Sequence, residues 1–149
     1  MEKIKRLRQK TGHGVMEVKK ALDEAKGDEK RAEEILSARG AEIMEKKSSR
    51  VTSCGLIDTY VHLGKIGVLV EVNCETDFVA RNEEFKNFVH EIALAVASSE
   101  AESVEKLLDE EYFKKPGKKI RTLLQQTIAK TGENIKIKRF VKYTLADKS

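Results

Sequence analysis

Asp77 and Phe78 stand side by side at a point where the hydrophobic pattern of the chain changes period. Before them Val68, Val70 and Val72 alternate with Leu69 and Glu71, which predicts a strand from Ile66 to Val72. After them Phe85, Phe88, Val89, Ile92, Ala93 and Val96 recur at helical spacing, which predicts a helix from Asn82 to Ser98. A carboxylate beside a large aromatic at such a turn supports two readings. Thr76 or Asp77 caps the helix while Phe78 staples into the core, or the pair is presented outward to act on another molecule.

The remaining reactive side chains form no catalytic set. Cys54 and Cys74 are the only cysteines, and neither has a Cys-x-x-Cys partner, so they read as small hydrophobes rather than zinc ligands or a disulfide framework. His13, His62 and His90 are scattered and share no metal-ligand spacing. Thr11-Gly12-His13-Gly14 is a turn between helices, lacking the preceding strand and the Gly-Lys-Ser/Thr ending of a phosphate loop. The reading is therefore of a non-enzyme that needs no cofactor and no metal.

Composition sets outer bounds. The chain has 149 residues, 40% apolar and 36% charged, with no Trp and one Pro, as expected of a soluble, helix-rich protein. No run approaches the roughly 18 apolar residues of a membrane span, and MEKIKRLRQK has no signal core; no membrane partner and a cytoplasmic location are expected. A net charge of +4 spread among 25 acids argues only weakly for nucleic acid. The most basic cluster, Lys114, Lys115, Lys118, Lys119 and Arg121, has only Tyr112 and Phe113 beside it as stacking residues. It reads as a solvated face, with a small basic nucleic-acid-binding module as the alternative.

In chain order, Ile4 and Leu7 mark a first helix, Val15 to Ala25 a second ending at Gly27, and Asp28 caps a third that stops at Gly40. A charged helical linker follows, which puts a domain boundary at residue 50: a three-helix unit over 1–50 and a second domain over 51–149. The second domain opens with a hairpin. Gly64-Lys65 fits a two-residue type II′ turn, which pairs Leu63 with Ile66, Val61 with Val68, Thr59 with Val70 and Ile57 with Val72. That register places Asp58 opposite Glu71 on the other face, with Lys136, Lys138 and Lys142 of a third strand, Asn134 to Leu145, as candidate neutralisers. It also pairs Cys74 with Gly55 and turns Cys54 to the opposite face, so no Cys54–Cys74 bond is expected. Short helices around Val104–Leu108 and Ile120–Ile128 complete an α+β core, a three-stranded antiparallel sheet with helices on one face.

Three long stretches carry a resemblance. VLVEVNCETDFVARNEEF at Val68 to Phe85, LRQKTGHGVMEVKKALDEAKGD at Leu7 to Asp28, and IAKTGENIKIKRF at Ile128 to Phe140 closely resemble, in order, the signatures of bacterial elongation factor Ts. The resemblance implies a guanine-nucleotide exchange factor for elongation factor Tu, able to meet it GDP-bound and nucleotide-free. It implies an N-terminal unit similar to a ubiquitin-associated domain that grips the partner through Val15, Met16 and Lys19. It also implies that Thr76, Asp77, Phe78 and Val79 enter the partner near its Mg²⁺ site, Phe78 as wedge and Asp77 as a holder of backbone or polar groups. Relatives often read Gly-Ala-Gly-Met-Met where this chain has Gly12-His13-Gly14-Val15-Met16. They usually carry a second core repeat packed against the first, and the resemblance here covers one repeat. A homodimer built on the sheet's second face, carrying Leu56, Tyr60, Leu69 and Phe140, is expected to stand in for it.

Overall fold

A computed structural model describes residues 1–146; the last three residues of the expected second domain lie outside the described residues. Gly12, at φ 76°, ends α1 (Glu2–Thr11), and an added Cβ there would lie 2.2 Å from Lys130 Cγ, so only glycine fits. The turn leads into α2 (Val15–Glu24), and the Asp28 carboxylate then caps α3 (Glu29–Lys47) by accepting from the amides of Lys30 and Arg31. Leu7, Val18, Ala21, Leu22, Ala25, Ala32 and Leu36 form the bundle's own core.

The third helix does not stop at Gly40. It continues to Lys47 because Ile43 and Met44, one turn further on, pack against a second core. Burying those two side chains offsets the cost of about 1 kcal/mol of an interior helix glycine. The expected linker is thus the end of α3.

β1 (Cys54–His62), β2 (Ile66–Cys74) and β3 (Ile135–Thr144) form an antiparallel sheet in that order. Between β2 and β3 come α4 (Asp77–Ala80), α5 (Glu83–Ser98), α6 (Val104–Leu108) and α7 (Ile120–Thr131). Val68, Val70, Val72 and Cys74 face Phe85, Val89, Ile92 and Val96 of α5 in the second core, which Leu124, Ile128 and Ile137 complete. The α+β class and the antiparallel three-stranded sheet are those predicted from the sequence.

The register is not. His62 pairs with Ile66 and Cys54 with Cys74, one residue away from the expected pairing. The turn spans Leu63 to Lys65, with Leu63 at φ 52° and Gly64 at φ 67°. Two successive positive φ values are the type I′ pattern rather than type II′, and the extra residue moves every partner by one. Because side chains alternate, this slip exchanges the faces of β1. Leu56 and Tyr60 pack toward the helices, while Ile57 and Val61 point outward, 62% and 65% exposed.

Cys54 and Cys74 are therefore cross-strand partners on the same face, both with free thiols. Asp58 meets His90 Nδ1 at 3.1 Å on the helix side. Glu71 pairs with Arg139 Nε at 2.8 Å on the outer side, so the two acids do not oppose each other, and of the three lysines it is Lys138 that adds to Arg139 in favouring the Glu71 charge. The Glu71 carboxyl is held below its usual range by the Asn73 amide and the Arg139 guanidinium.

A bulge in β3 makes a second exchange of faces. Val72 pairs with Ile137 but Glu71 with Arg139, leaving Lys138 as the extra residue. Beyond it Phe140 turns inward and Lys142 reaches the Ser99 carbonyl at 2.7 Å, while Val141 and Tyr143 turn out. Of the four residues expected on the second face, only Leu69 lies there; Leu56, Tyr60 and Phe140 pack against the core. The apolar outer face consists instead of Ile57, Val61, Leu69, Val141 and Tyr143.

Candidate functional site

The turn after β2 is built from both sides. Thr76, at φ −130° and ψ 155°, caps α4, its Oγ1 accepting from the Val79 amide at 3.3 Å. Val79 and Ala80 are buried and anchor α4 to the core, and Asn82 restarts the chain as α5 by accepting from the Glu84 amide at 2.8 Å. With the inward positions of this single turn taken by Val79 and Ala80, Phe78 can only face outward. Its ring is 81% exposed. The staple reading therefore fails, although Thr76 does cap.

What stiffens the turn comes from the far end of the chain. Gly132, left-handed at φ 74°, ends α7 and delivers Glu133 to the turn. Glu133 Oε1 accepts from the Glu75 amide at 3.0 Å and the Thr76 amide at 3.1 Å, and Oε2 accepts from Thr76 Oγ1 at 2.6 Å. Charge-assisted bonds of this kind are roughly twice as strong as neutral ones. Glu75 answers in kind: its Oε1 accepts from the Asn134 amide at 2.7 Å and meets Arg50 at 3.5 Å. The buried Asn134 side chain donates to the Arg50 carbonyl at 2.9 Å. Two segments joined by reciprocal carboxylates thus hold the backbone on which Asp77 and Phe78 ride.

The sequence reading missed Glu133, Glu75, Asn134 and Arg50. Glu133 stands in Thr131-Gly132-Glu133-Asn134 after a helix-stopping glycine, but its partner Thr76 lies 57 residues away. No local pattern marks such a pairing.

The thiols nearby are not nucleophiles. Burial, then the Glu133 carboxylate, pushes the Cys74 thiol up to about 11, and it donates to the Thr76 carbonyl at 3.2 Å. Burial and the neighbouring Asp77 carboxylate push the Cys54 thiol up as well. A protonated thiol is a poor nucleophile. Among the described residues no group of three or more His, Cys, Asp or Glu could hold a metal ion, and no helix is long and apolar enough to cross a membrane. The turn offers an exposed ring and a carboxylate on a braced frame, which suits binding and displacement.

The second set of predicted residues lies on α2. Val15 is 44% exposed and Met16 76%, with Lys19 exposed one turn along. Beneath them Val18, Ala21 and Leu22 hold the helix to the bundle core. His13, two residues earlier, is absent from this surface. It is buried against α3 with Nε2 near Gly40, and burial lowers its pKa. The α2 set and the Phe78 turn rest on different hydrophobic cores and make two surfaces, not one.

Comparison with known proteins bears on both. The family profile described as Elongation factor TS matches residues 75–149. An elongation factor Ts of a Nostoc species is 46% identical over 147 residues, covering 98% of this chain and 46% of the relative, so the chain spans about half that relative's length. The elongation factor Ts of Rubrobacter xylanophilus is 42% identical over 191 residues, covering 97% of this chain and 98% of the relative. That of a Thermoanaerobacter species is 39% identical over 186 residues, covering 94% and 91%. Near-complete coverage of such relatives, on a chain whose profile match begins at the braced turn itself, decides the affiliation: this chain belongs to the elongation factor Ts family.

Proposed function

We propose that this protein is a guanine-nucleotide exchange factor for elongation factor Tu, active in translation elongation in the cytoplasm and meeting its partner both GDP-bound and nucleotide-free. One observation carries the reading: Phe78 is 81% exposed on a turn that Glu133 and Glu75 clamp. An exchange factor does no covalent chemistry. It binds in a way incompatible with tight nucleotide and Mg²⁺, and by linkage nucleotide loosens it in return. Mg²⁺ demands near-ideal octahedral geometry at short distances, so a rigid wedge that shifts a ligand slightly is costly to the bound ion. Phe78 is that wedge. Thr76 and Asp77 engage polar and backbone groups beside it, and Val79 acts from below by anchoring the turn in the core.

The two hydrophobic clusters divide the work. Residues 1–50 form the gripping domain, with Val15, Met16 and Lys19 as its contact surface. Residues 51–149 form the exchange and dimerisation domain. The dimer uses the sheet's outer face through Ile57, Val61, Leu69, Val141 and Tyr143, because an isologous contact lets one apolar patch meet itself. Sedimentation equilibrium at micromolar concentration tests this: a mass of twice 16.8 kDa is expected, and a single-chain mass throughout contradicts it. The function itself is tested by mixing the chain with elongation factor Tu loaded with fluorescent GDP. Catalytic amounts accelerate release; an unchanged intrinsic rate refutes the reading.

A further inference from the structure

A cleft of about 540 Å³ lies where the N-terminal bundle meets the end of the second domain, lined among others by Lys10, His13, Lys30, Lys115, Lys118 and Gln126. Its walls are fixed. The α1–α2 turn packs so closely on α7 that Gly12 has no room for a Cβ. The opposite wall is a loop tied by Tyr112 N–H to the Lys118 carbonyl at 2.7 Å and Lys118 N–H to the Lys115 carbonyl at 3.1 Å.

The charges around this cleft are unbalanced. Lys10 meets Glu33 at 3.7 Å, Glu34 is taken by Arg31 at 3.4 Å, and Lys130 meets Glu84 at 3.6 Å. Among the described residues Lys30, Lys115 and Lys118 make no ion pair. Lys118 donates to the Gln126 side-chain carbonyl, a neutral acceptor. Its surroundings disfavour its charge: partial burial first, then Lys115 from the same loop, with Lys130 from α7 and Lys10 from α1 adding to them and Glu33 from α3 opposing, lower its pKa to about 8. Lys118 is half-buried, with the exposed Lys10, Lys30 and Lys115 around it, and the two carboxylates of the lining, Glu33 and Glu34, are engaged by Lys10 and Arg31; the cleft therefore carries an excess of positive charge that favours an anion.

We propose that this cleft binds a small molecule carrying phosphate groups, held by Lys115 and Lys118 with Lys30 and Lys10 at its margin. Lysines arrayed as separate point charges suit the spread charge of phosphates. The volume falls within the roughly 300–1,000 Å³ of small-ligand sites. A nucleic-acid strand fits less well, since no Phe, Tyr or Trp lines the cleft for the stacking of successive bases.

The test is isothermal titration calorimetry of the full chain with sodium tripolyphosphate, on wild type, Lys118→Gln, Lys115→Gln and the hairpin-turn control Lys65→Gln. Saturable one-to-one binding is expected, weakened about tenfold or more in each cleft variant, which corresponds to about 1.4 kcal/mol, and less than twofold in the control. Circular dichroism on each variant reports folding, and Lys115→Gln stands in should Lys118→Gln fail to fold. Three results overturn the proposal: no saturable binding, equal losses in the control, or binding of a single-stranded oligonucleotide while tripolyphosphate is ignored.

Discussion

Strand β2 carries a large exposed apolar side chain just beyond each end. Leu63 precedes it, 80% exposed, and Phe78 follows it, 81% exposed. By exposure they are equivalent; by what lies behind them they are opposite. The Leu63 turn is closed by Lys65 N–H to the His62 carbonyl at 2.9 Å and Leu145 N–H to the Lys65 carbonyl at 2.8 Å, and Leu63 itself sits in left-handed backbone. The Phe78 turn is capped by Thr76, clamped by Glu133 and anchored by buried Val79. An exposed hydrophobe is ordinary. One mounted on a stiff, charge-assisted frame can transmit force to a partner without yielding.

The largest expected difference is in stability. Phe78→Ala should change the unfolding free energy by less than about 0.5 kcal/mol, as at other surface positions. Phe85→Ala, seven residues on and fully buried, should cost about 3–5 kcal/mol. Urea denaturation measures both, and a loss above about 1 kcal/mol in Phe78→Ala would mean the ring is packed rather than presented.

The frame is next. Glu133→Ala strands the Glu75 and Thr76 amides, at a cost of about 1–2 kcal/mol given that Thr76 is exposed and water can partly replace the carboxylate. Hydrogen exchange should speed at the Thr76 amide and remain unchanged at Leu63. Equal protection in wild type and variant would show that Glu133 does not stiffen the turn.

The smallest effect is at the other end of β2. A leucine at φ 52° carries strain that asparagine tolerates better, so Leu63→Asn should stabilise the chain by about 0.5–1 kcal/mol. A melting temperature unchanged or lowered would contradict the strain, and with it the type I′ description of the turn.

These contrasts also explain what was legible in advance. Asp28 as a cap and Gly132 as a stop are local chemistry, and they mark their helices correctly, whereas the cap expected at Thr76 or Asp77 serves the short α4 and the long helix takes Asn82 instead. Gly40 has the same chemistry but loses to tertiary packing, because Ile43 and Met44 bury beyond it. The hairpin register was hidden because it depends on Leu63 taking a conformation that leucine disfavours. One residue of error there reversed the faces of β1, moved Leu56 and Tyr60 inward and brought Cys54 opposite Cys74. The Lys138 bulge did the same to half of β3 without any glycine to announce it. At the site, Asp77 and Phe78 drew notice by type and place, but the direction of the ring depended on Val79 and Ala80 filling the inward positions. Glu133 was invisible because its role exists only across a long-range contact.

A braced Phe78 is expected to lower the barrier to nucleotide loss, whereas equal exposure at Leu63 is expected to do nothing. Stopped-flow release of fluorescent GDP from elongation factor Tu, at a series of concentrations of wild type, Phe78→Ala and Leu63→Ala, tests it directly. Phe78→Ala should lower the saturating release rate about 10- to 100-fold, matching a coupling of about 1–3 kcal/mol. The concentration for half-maximal effect should stay nearly unchanged, because the grip proposed for Val15, Met16 and Lys19 is left intact, and Leu63→Ala should match wild type. A Phe78→Ala protein that reaches the wild-type saturating rate would show that Phe78 is not the wedge.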